Sequence, residues 1–359
     1  MLFSRENNFL LIDEPTNHLD LRGRELVSRY LNGKKGFILV SHDRAFLDGC
    51  VDHILSINKT NMEVQRGNFS SWYHNKELQD AWEQAENARL KKEISRLEAT
   101  AREKAGWSDR LEASKIGTHS YDRGYIGHKA EKMMARSKAI EKRRQAAIEE
   151  KSALLKNIER SDTLKIFQTP FHTRRLVQLQ EVTVDYGAGP VCGPVSFAIE
   201  QGDRVALRGP NGCGKSSLLK LLCGENIPHS GVVRIGSGLK ISLVEQDTSR
   251  LSGRLSDFAR QSGVEESLFL AILAKLDVPK GQMEKDMASL SAGQKKKVLL
   301  ARSICQPAHL HIWDEPMNYI DVISRIQIEE LLLSFRPTLL FVEHDRTFCD
   351  RIATRVIAL

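Results

Sequence analysis

The chain has 359 residues, 41% of them hydrophobic and 28% charged, and a formal net charge of +7. This composition is typical of a globular protein and excludes a disordered chain, and the apolar runs are strand-length, too short for a membrane-spanning helix. The six cysteines form no CxxC pair, which argues against zinc ribbons and disulfide frameworks and predicts a cytoplasmic protein with reduced thiols.

A duplicated segment occupies the two ends of the chain. The first copy reads FLLIDEPTNHLD and then FILVSHDRAF, and the second reads LHIWDEPMNYID and then LLFVEHDRTF. In both copies a DE pair is followed seven residues after its Asp by another Asp, and 28 or 29 residues after its Glu by a His. This order and spacing indicate a duplicated domain. The repeated residues are Asp13, Glu14, Asp20 and His42 in the first copy, and Asp314, Glu315, Asp321 and His344 in the second.

The second copy carries upstream motifs that have no counterpart in the first. Lys215 precedes Asp314 by 99 residues, and the same offset counted back from Asp13 falls before the chain begins. We therefore expect residues 1–72 to be the C-terminal third of a first domain and residues 169–359 to be a complete second one. On this reasoning the chain begins at an internal start or at a fragment boundary.

Residues 73–168 differ in character from both copies. Ala, Glu, Lys, Arg and Leu dominate, and apolar residues recur at three- and four-residue steps. This pattern predicts two long helices in an antiparallel coiled-coil hairpin, with its tip in the glycine-containing stretch 105–129. The alternative is a charged helical spacer without a partner. The apolar positions include Leu78, Trp82, Ala85, Leu90, Ile94 and Leu97 in the first series, and Met133, Ile140, Ala147, Leu154 and Ile158 in the second.

The stretch GPNGCGKSS matches the phosphate-binding pattern GxxxxGK[ST] and lies between an apolar run and a helical segment. Glycines allow backbone N–H groups to surround phosphate oxygens, and the following helix adds the positive end of its dipole. Lys215 would neutralise the β- and γ-phosphates of ATP, and Ser216 would bind Mg²⁺. An ordinary glycine-rich turn is the alternative. The predicted nucleotide-binding residues are Gly209, Asn211, Gly212, Gly214, Lys215, Ser216 and Ser217.

LHIWDE is an apolar strand that ends in two acids. Asp314 is suited to hold the Mg²⁺ shell, and Glu315 to polarise an attacking water. His344 follows another apolar strand, from which it would contact a γ-phosphate or orient that water. Each feature alone is typical of an ordinary strand end, but the set recurs in the first copy. We predict catalytic roles for Glu315, His344, Glu14 and His42, and metal contacts for Ser216, Gln246, Asp314 and Asp13.

Three weaker signals accompany these motifs. LSAGQ opens a helix whose exposed N–H groups suit a phosphate bound by a neighbouring domain. Gln246 in LVEQD is placed to link metal and water to the helical segment that follows. Tyr186, 23 residues before Gly209, is a candidate to stack on adenine. The predicted nucleotide contacts in LSAGQ are Ser291, Gly293 and Gln294.

In this order the motifs resemble an ATP-binding-cassette (ABC) nucleotide-binding domain, with Walker A, Gln246, the LSAGQ signature, Walker B and His344. The chain resembles the ABC-F proteins, soluble ATPases that act on ribosomes, in three features. These are the two copies, the motif EPTNHLD in the first copy, and the charged helical linker without a membrane domain. MNYID and the long linker tip look most like the Lsa/Vga-type antibiotic-resistance members. The resemblance covers essentially the whole chain. It implies an α/β P-loop NTPase fold with a helical hairpin linker.

The resemblance also implies a mechanism. Two cassettes would pack head to tail around two ATP molecules and Mg²⁺, each site using Walker A and B of one cassette and the signature of the other. The linker tip would enter the ribosome, meet rRNA or tRNA, and displace a lincosamide, streptogramin A or pleuromutilin. Because the first signature is projected before residue 1, we expect this chain alone to bind nucleotide but turn over poorly. A homodimer through the second cassettes is a further arrangement that the motifs permit.

The location of the charge supports a ribosomal partner. Residues 110–144 hold ten Lys/Arg against four Asp/Glu. Tyr121 and Tyr125 in this stretch, and Trp107 just before it, are interleaved with basic residues. Basic side chains neutralise phosphates, and aromatic rings stack on unpaired bases. The alternative is a solvated basic helix whose aromatics pack its own tip.

Two rival functions share the motifs. The first is the nucleotide-binding subunit of a membrane transporter, although such cassettes usually lack a basic helical hairpin between two copies. The second is a non-enzymatic chain that merely binds ATP or ribosomes.

Overall fold

The computed structural model describes residues 9–17, 19–57, 62–114, 165–166, 168–187 and 189–359. Two compact units make up the chain, one formed by Met1–Ser70 with Ser161–Leu359 and the other by Ser71–Arg160. Across the described ranges, every helix is too short or too polar to cross a lipid bilayer. The domain boundaries at residues 72 and 168 stay predictions.

The first copy forms two strands and two helices, followed by a β-hairpin. Its elements are β1 (Leu10–Asp13), α1 (Leu21–Asn32), β2 (Phe37–Val40), α2 (Arg44–Cys50), β3 (His53–Ile57) and β4 (Met62–Arg66). Strands β1 and β2 pair in parallel, and β3 pairs antiparallel with β4. The side chains of Asp20 and Asp43 accept hydrogen bonds from the N–H groups of Gly23 and Phe46 and so cap the two helices. These aspartates of the repeat therefore determine where the helices begin.

Helix α3 (Phe69–Ser114) has 46 residues, which corresponds to about 69 Å at 1.5 Å per residue. The sequence predicted that a tip begins at residue 105, but the helix continues without a break to Ser114, so that prediction was wrong. The stretch 105–114 contains a single glycine, and one glycine in a helix costs only about 1 kcal/mol relative to alanine. The second predicted helical series and the rest of the predicted tip, with Tyr121 and Tyr125, lie outside the described residues.

The second copy is a mixture of strands and helices along residues 175–358. Its strands are β5 (Arg175–Asp185), β6 (Pro190–Glu200), β7 (Arg204–Arg208), β8 (His229–Ile235), β9 (Ile241–Val244), β10 (Leu310–Asp314), β11 (Leu339–Val342) and β12 (Arg355–Ala358). Its helices are α4 (Lys215–Leu222), α5 (Leu255–Gln261), α6 (Glu266–Lys275), α7 (Lys280–Met283), α8 (Ala292–Cys305), α9 (Val322–Phe335) and α10 (Arg346–Ile352).

A parallel five-stranded sheet forms the centre of the second copy, in the order β12-β7-β11-β10-β9. Its central strands β10 and β11 are buried at every position, which is why their sequences read as unbroken apolar runs rather than as alternating patterns. A second, antiparallel sheet has the order β6-β5-β8. The architecture is α/β, as the sequence predicted.

Two apolar clusters cover the opposite faces of the parallel sheet. Val205 and Leu207 of β7 pack in the cluster that contains the antiparallel sheet, whereas Ala206 between them packs in the cluster that contains α8. This alternation follows from the two-residue period of a strand. Because all pairings in this sheet are parallel, the carboxyl ends of its strands, and the loops that follow them, lie at one edge of the sheet.

Candidate functional site

The glycine-rich loop joins the end of β7 to the start of α4. Gly212 and Gly214 adopt left-handed φ angles of 83° and 85°, which glycine tolerates without strain. A Cβ atom on Gly214 would lie 2.5 Å from Cβ of Cys192. The loop therefore needs glycine at position 214 both for its backbone conformation and for its close approach to β6.

Lys215 turns back into this loop. Its side chain is nearly buried, and Nζ donates hydrogen bonds to the carbonyl oxygens of Gly209, at 2.8 Å, and Pro210, at 2.9 Å. The ammonium group thus lies inside the curve of the loop, where the carbonyl oxygens stabilise its charge.

Asp314, at the end of β10, provides a buried carboxylate beside the loop. Burial raises the pKa of Asp314, and a hydrogen bond from Ser216 opposes that shift. Within the described residues, its Oδ1 atom is buried and has no hydrogen-bond partner. An unsatisfied buried carboxylate oxygen next to a serine hydroxyl is a donor set that fits a hard divalent cation such as Mg²⁺.

Glu315 is held by three side chains. Its Oε2 atom accepts hydrogen bonds from Gln246 Nε2, at 2.7 Å, and Asn318 Nδ2, at 2.6 Å, while His344 Nε2 lies 3.6 Å from Oε1. Burial alone would raise the pKa of Glu315, but His344 and Gln246 outweigh that effect and lower it. The carboxylate is therefore kept charged, as a base requires. Asn318 was missed in the sequence, although its counterpart Asn17 repeats in EPTN and offered the signal.

The glycine loop, Lys215 and Glu315 line one cavity of about 390 Å³, and Asp314 lies behind its residue Ser216. Tyr186 lies nearby, half exposed, and its hydroxyl donates a 3.0 Å hydrogen bond to Ser217 Oγ. The structure thus brings together most of the residues predicted for nucleotide and catalysis in the second copy. The cavity is lined by Val191, Asn211, Gly212, Gly214, Lys215, Ser216, Ser217, Gln246, Glu315 and His344.

The signature residues lie elsewhere and do not line this cavity. Ser291 caps α8, and its Oγ accepts a hydrogen bond from the N–H of Gln294 while the Gln294 side chain accepts one from the N–H of Ser291. Gly293 packs so closely that a Cβ there would lie 2.4 Å from the carbonyl oxygen of Tyr319. A nucleotide contact by the signature stays a prediction.

The first copy reproduces the geometry of the second at its DE pair. Glu14 has a φ of 44° where Glu315 has 46°, and His42 Nε2 lies 3.5 Å from Glu14 Oε1. Burial raises the pKa of Glu14 to about 7. Burial also lowers the pKa of His42, and Arg325 of the second copy adds to that effect. Asp13 is exposed, in contrast to the buried Asp314, and its metal role stays a prediction.

A buried ion cluster joins the two copies. Glu329 on α9 is fully buried and pairs with Arg44 of the first copy and, at 2.7 Å, with Arg351 of the second. Each copy also contains its own internal pair, Arg24 with Asp43 and Arg325 with Asp345. The two internal pairs occupy equivalent positions in the two copies, whereas the pair of Glu329 with Arg44 connects one copy to the other.

A parallel sheet, a glycine loop around Lys215 and the paired acids at the end of β10 together define an ABC-type P-loop nucleotide-binding domain. The profile of the family described as ABC transporter matches residues 192–318. The ATP-binding protein Uup of Caulobacter vibrioides is 31% identical over 368 residues, covering 99% of this chain and 56% of Uup. Along nearly its whole length the chain is similar to ATP-binding proteins of the ABC-F family.

Two further similarities extend over nearly the whole chain. The ribosome protection protein VmlR of Bacillus subtilis is 29% identical over 352 residues, covering 97% of this chain and 64% of VmlR. An archaeal ribosome recycling factor, aABCE1, solved in complex with the ribosomal stalk protein aP1, matches with a TM-score of 0.59 and 19% identity over 99% of this chain and 58% of that one. The last likeness shows the fold alone. The chain spans 53% to 64% of the length of the first curated relatives it matches.

Proposed function

We propose that the second cassette binds ATP with Mg²⁺ and that the protein hydrolyses it. The observation that supports this most directly is the buried, unpartnered Oδ1 of Asp314, whose carboxylate contacts Ser216 of a cavity that also presents Lys215 and the oriented carboxylate of Glu315. Bound Mg²⁺ would neutralise negative charge on the phosphates. Ser216, Asp314 and Gln246 are the residues that would hold it.

The remaining chemistry belongs to the side chains around the cavity. Lys215 exchanges the carbonyl oxygens of Gly209 and Pro210 for phosphate oxygens, so its charge is satisfied with and without nucleotide. Glu315 accepts the proton of the attacking water, and Gln246 and His344 fix its position. Ser291, Gly293 and Gln294 would contact a nucleotide bound by the other cassette. On this head-to-tail arrangement Glu14 and His42 would serve a second site.

Replacing Glu315 by Gln tests the catalytic role, because an amide keeps the shape and cannot accept the proton. We expect Glu315→Gln to retain ATP affinity within about twofold and to lower hydrolysis by about 100-fold or more, since general-base catalysis contributes about 10²–10⁴-fold. The matched control is Glu14→Gln, which should leave nucleotide binding at Lys215 unchanged. Binding is measured with a fluorescent ATP analogue and hydrolysis by phosphate release. Equal hydrolysis by Glu315→Gln and the unaltered chain would refute the assignment.

We further propose that the protein acts on the ribosome and protects translation from lincosamide, streptogramin A and pleuromutilin antibiotics. The support is the similarity to VmlR, whose name describes ribosome protection, and the excess of basic residues in 110–144. A transport subunit is the rival, and it predicts recovery with a permease in the membrane fraction.

Co-sedimentation with ribosomes tests the basic segment. Neutralising four of its residues should weaken binding and flatten its salt dependence, because each phosphate contact releases a counterion. Binding that is unchanged across a salt titration would contradict the proposed role of the basic segment. If ribosome binding is observed, the drug susceptibility of cells expressing the protein distinguishes antibiotic protection from another ribosomal role. The residues to be neutralised are Arg136, Lys138, Arg143 and Arg144.

A further inference from the structure

Lys296 is a buried lysine in the helix that begins at the signature. Only 1% of its surface is exposed, and it is among the largest fully buried side chains of the described residues. A buried ammonium group is costly unless its three donors are satisfied. The position is therefore informative, since the two neighbouring lysines have ordinary explanations: Lys295 is partly exposed, and Lys297 pairs with Asp321 at 2.6 Å.

The acceptors of Lys296 are all backbone carbonyl oxygens. Nζ lies 2.7 Å from the oxygen of Glu245, 3.1 Å from that of Asp314 and 3.5 Å from that of Gln246. Glu245 and Gln246 follow β9, and Asp314 ends β10. One cation thus joins the carboxyl ends of two neighbouring strands to α8.

Those strand ends carry two residues of the candidate site, of which Gln246 lines the cavity and Asp314 lies beside its residue Ser216. Gln246 contacts Glu315, and Asp314 presents its unpartnered Oδ1 next to Ser216. Burial lowers the pKa of Lys296 to about 8, and the carboxylates of Asp314 and Glu343 oppose that shift and favour the charged form. Movement of either strand end would change the distance between the Gln246 and Asp314 side chains, because both are attached to the backbone that Lys296 holds.

We infer that Lys296 is a positioning residue that sets the spacing of Gln246 and Asp314 for a nucleotide-bound divalent cation. This inference rests on the proposed nucleotide site. Lys296 itself does not touch the nucleotide in this scheme. Its loss should therefore change the contribution of Mg²⁺ to nucleotide binding while leaving the glycine loop and Lys215 intact.

The test uses the full chain and a fluorescent ATP analogue, titrated in EDTA and again across a range of Mg²⁺ concentrations. Lys296→Met keeps an unbranched side chain only one heavy atom shorter and removes the charge. We expect affinity in EDTA to stay within about twofold and the Mg²⁺ concentration for half-maximal enhancement to rise about tenfold, the size typical for losing a group that orients metal ligands. Lys296→Arg, which keeps a cation, should recover part of the enhancement. Lys285→Met removes an exposed lysine and should behave as the unaltered chain.

Several outcomes overturn the inference. One is a folded Lys296→Met chain with an unchanged Mg²⁺ requirement, and another is an equal loss of affinity in EDTA and in Mg²⁺, which would indicate a merely structural role. If Lys296→Met does not fold, Lys296→Gln is measured instead, and an unchanged requirement there is equally decisive. Mg²⁺ that fails to enhance binding to the unaltered chain also overturns it. If Mg²⁺ enhances nucleotide binding as expected but the chain does not hydrolyse ATP, the proposed hydrolytic activity is contradicted and the inference about Lys296 is not.

Discussion

Replacing Glu329 by Gln should destabilise the protein by about 3–5 kcal/mol, the range measured when one partner of a buried ion pair is removed. The carboxylate is fully buried, and the Arg44 side chain that it pairs with is only 8% exposed. Two unit charges 3.3 Å apart, the separation of Arg44 Nη1 from Glu329 Oε2, attract by about 5 kcal/mol at an effective dielectric constant of 20. Arg351 is 45% exposed and so contributes less than about 1 kcal/mol.

A double-mutant cycle measures the coupling energy between Arg44 and Glu329. It compares the urea unfolding of Glu329→Gln, Arg44→Met and the double variant with that of the unaltered chain. The loss in free energy of unfolding should be smaller in the double variant than the sum of the losses in the two single variants, because the double variant leaves neither Arg44 nor Glu329 as a buried charge without a partner. Asp350→Asn breaks an exposed pair with Arg208 and is the control, with an expected loss below about 1 kcal/mol. A loss of that small size in Glu329→Gln, or strictly additive effects, would refute the reasoning.

Two other predictions concern single positions. Burial lowers the pKa of His311 to about 4, so the unfolded chain takes up the proton first and stability is lost as the pH falls from about 6.5 towards 4; at pH 5 the loss is about 2 kcal/mol. Urea unfolding at pH 7 and pH 5 should show this loss reduced in His311→Gln and retained in the exposed-site control His74→Gln, and equal losses in both would contradict it. Gly214→Ala should weaken ATP binding about tenfold or more in calorimetric titration, because the added Cβ would collide with Cys192. Gly238→Ala is the control and should not weaken binding, because Gly238 has a similar φ of 76° but no atom lies within 4 Å of its added Cβ. Equal affinities of the two variants would count against the steric argument.

The parts of the site that were predictable from sequence are those in which a local motif determines the backbone. The glycines before Lys215 allow only a tight loop between a strand and a helix, and the DE pair of the second copy follows an apolar run that forms the buried strand β10. The corresponding strand β1 of the first copy is only partly buried. The repeat added His42 and His344, because one strand-end histidine carries little information and two at matching positions carry much.

The parts that could not be predicted depend on contacts between distant segments. Lys296 is one of three consecutive lysines, and nothing local distinguishes it from its neighbours; it is buried because carbonyl oxygens 18 and 51 residues away converge on it. Glu329 likewise reads as a solvent-facing helical acid until Arg44, 285 residues away, is placed against it. The four glycines of residues 105–129 suggested an interruption, but only Gly106 lies within α3, and it does not end the helix.

The cap of α8 has a consequence for recognition. A serine hydroxyl can accept one hydrogen bond and donate another at the same time. In the cap Ser291 Oγ is the acceptor for the N–H of Gln294, so its proton stays available to an anionic oxygen while the bond from Gln294 fixes the direction in which the hydroxyl points. The hydrogen bond from Gln294 to Ser291 that caps the helix thereby also orients the Ser291 hydroxyl in the absence of a ligand. The side-chain entropy of Ser291 is lost when the chain folds, so a ligand that contacted this hydroxyl would not lose affinity by ordering it.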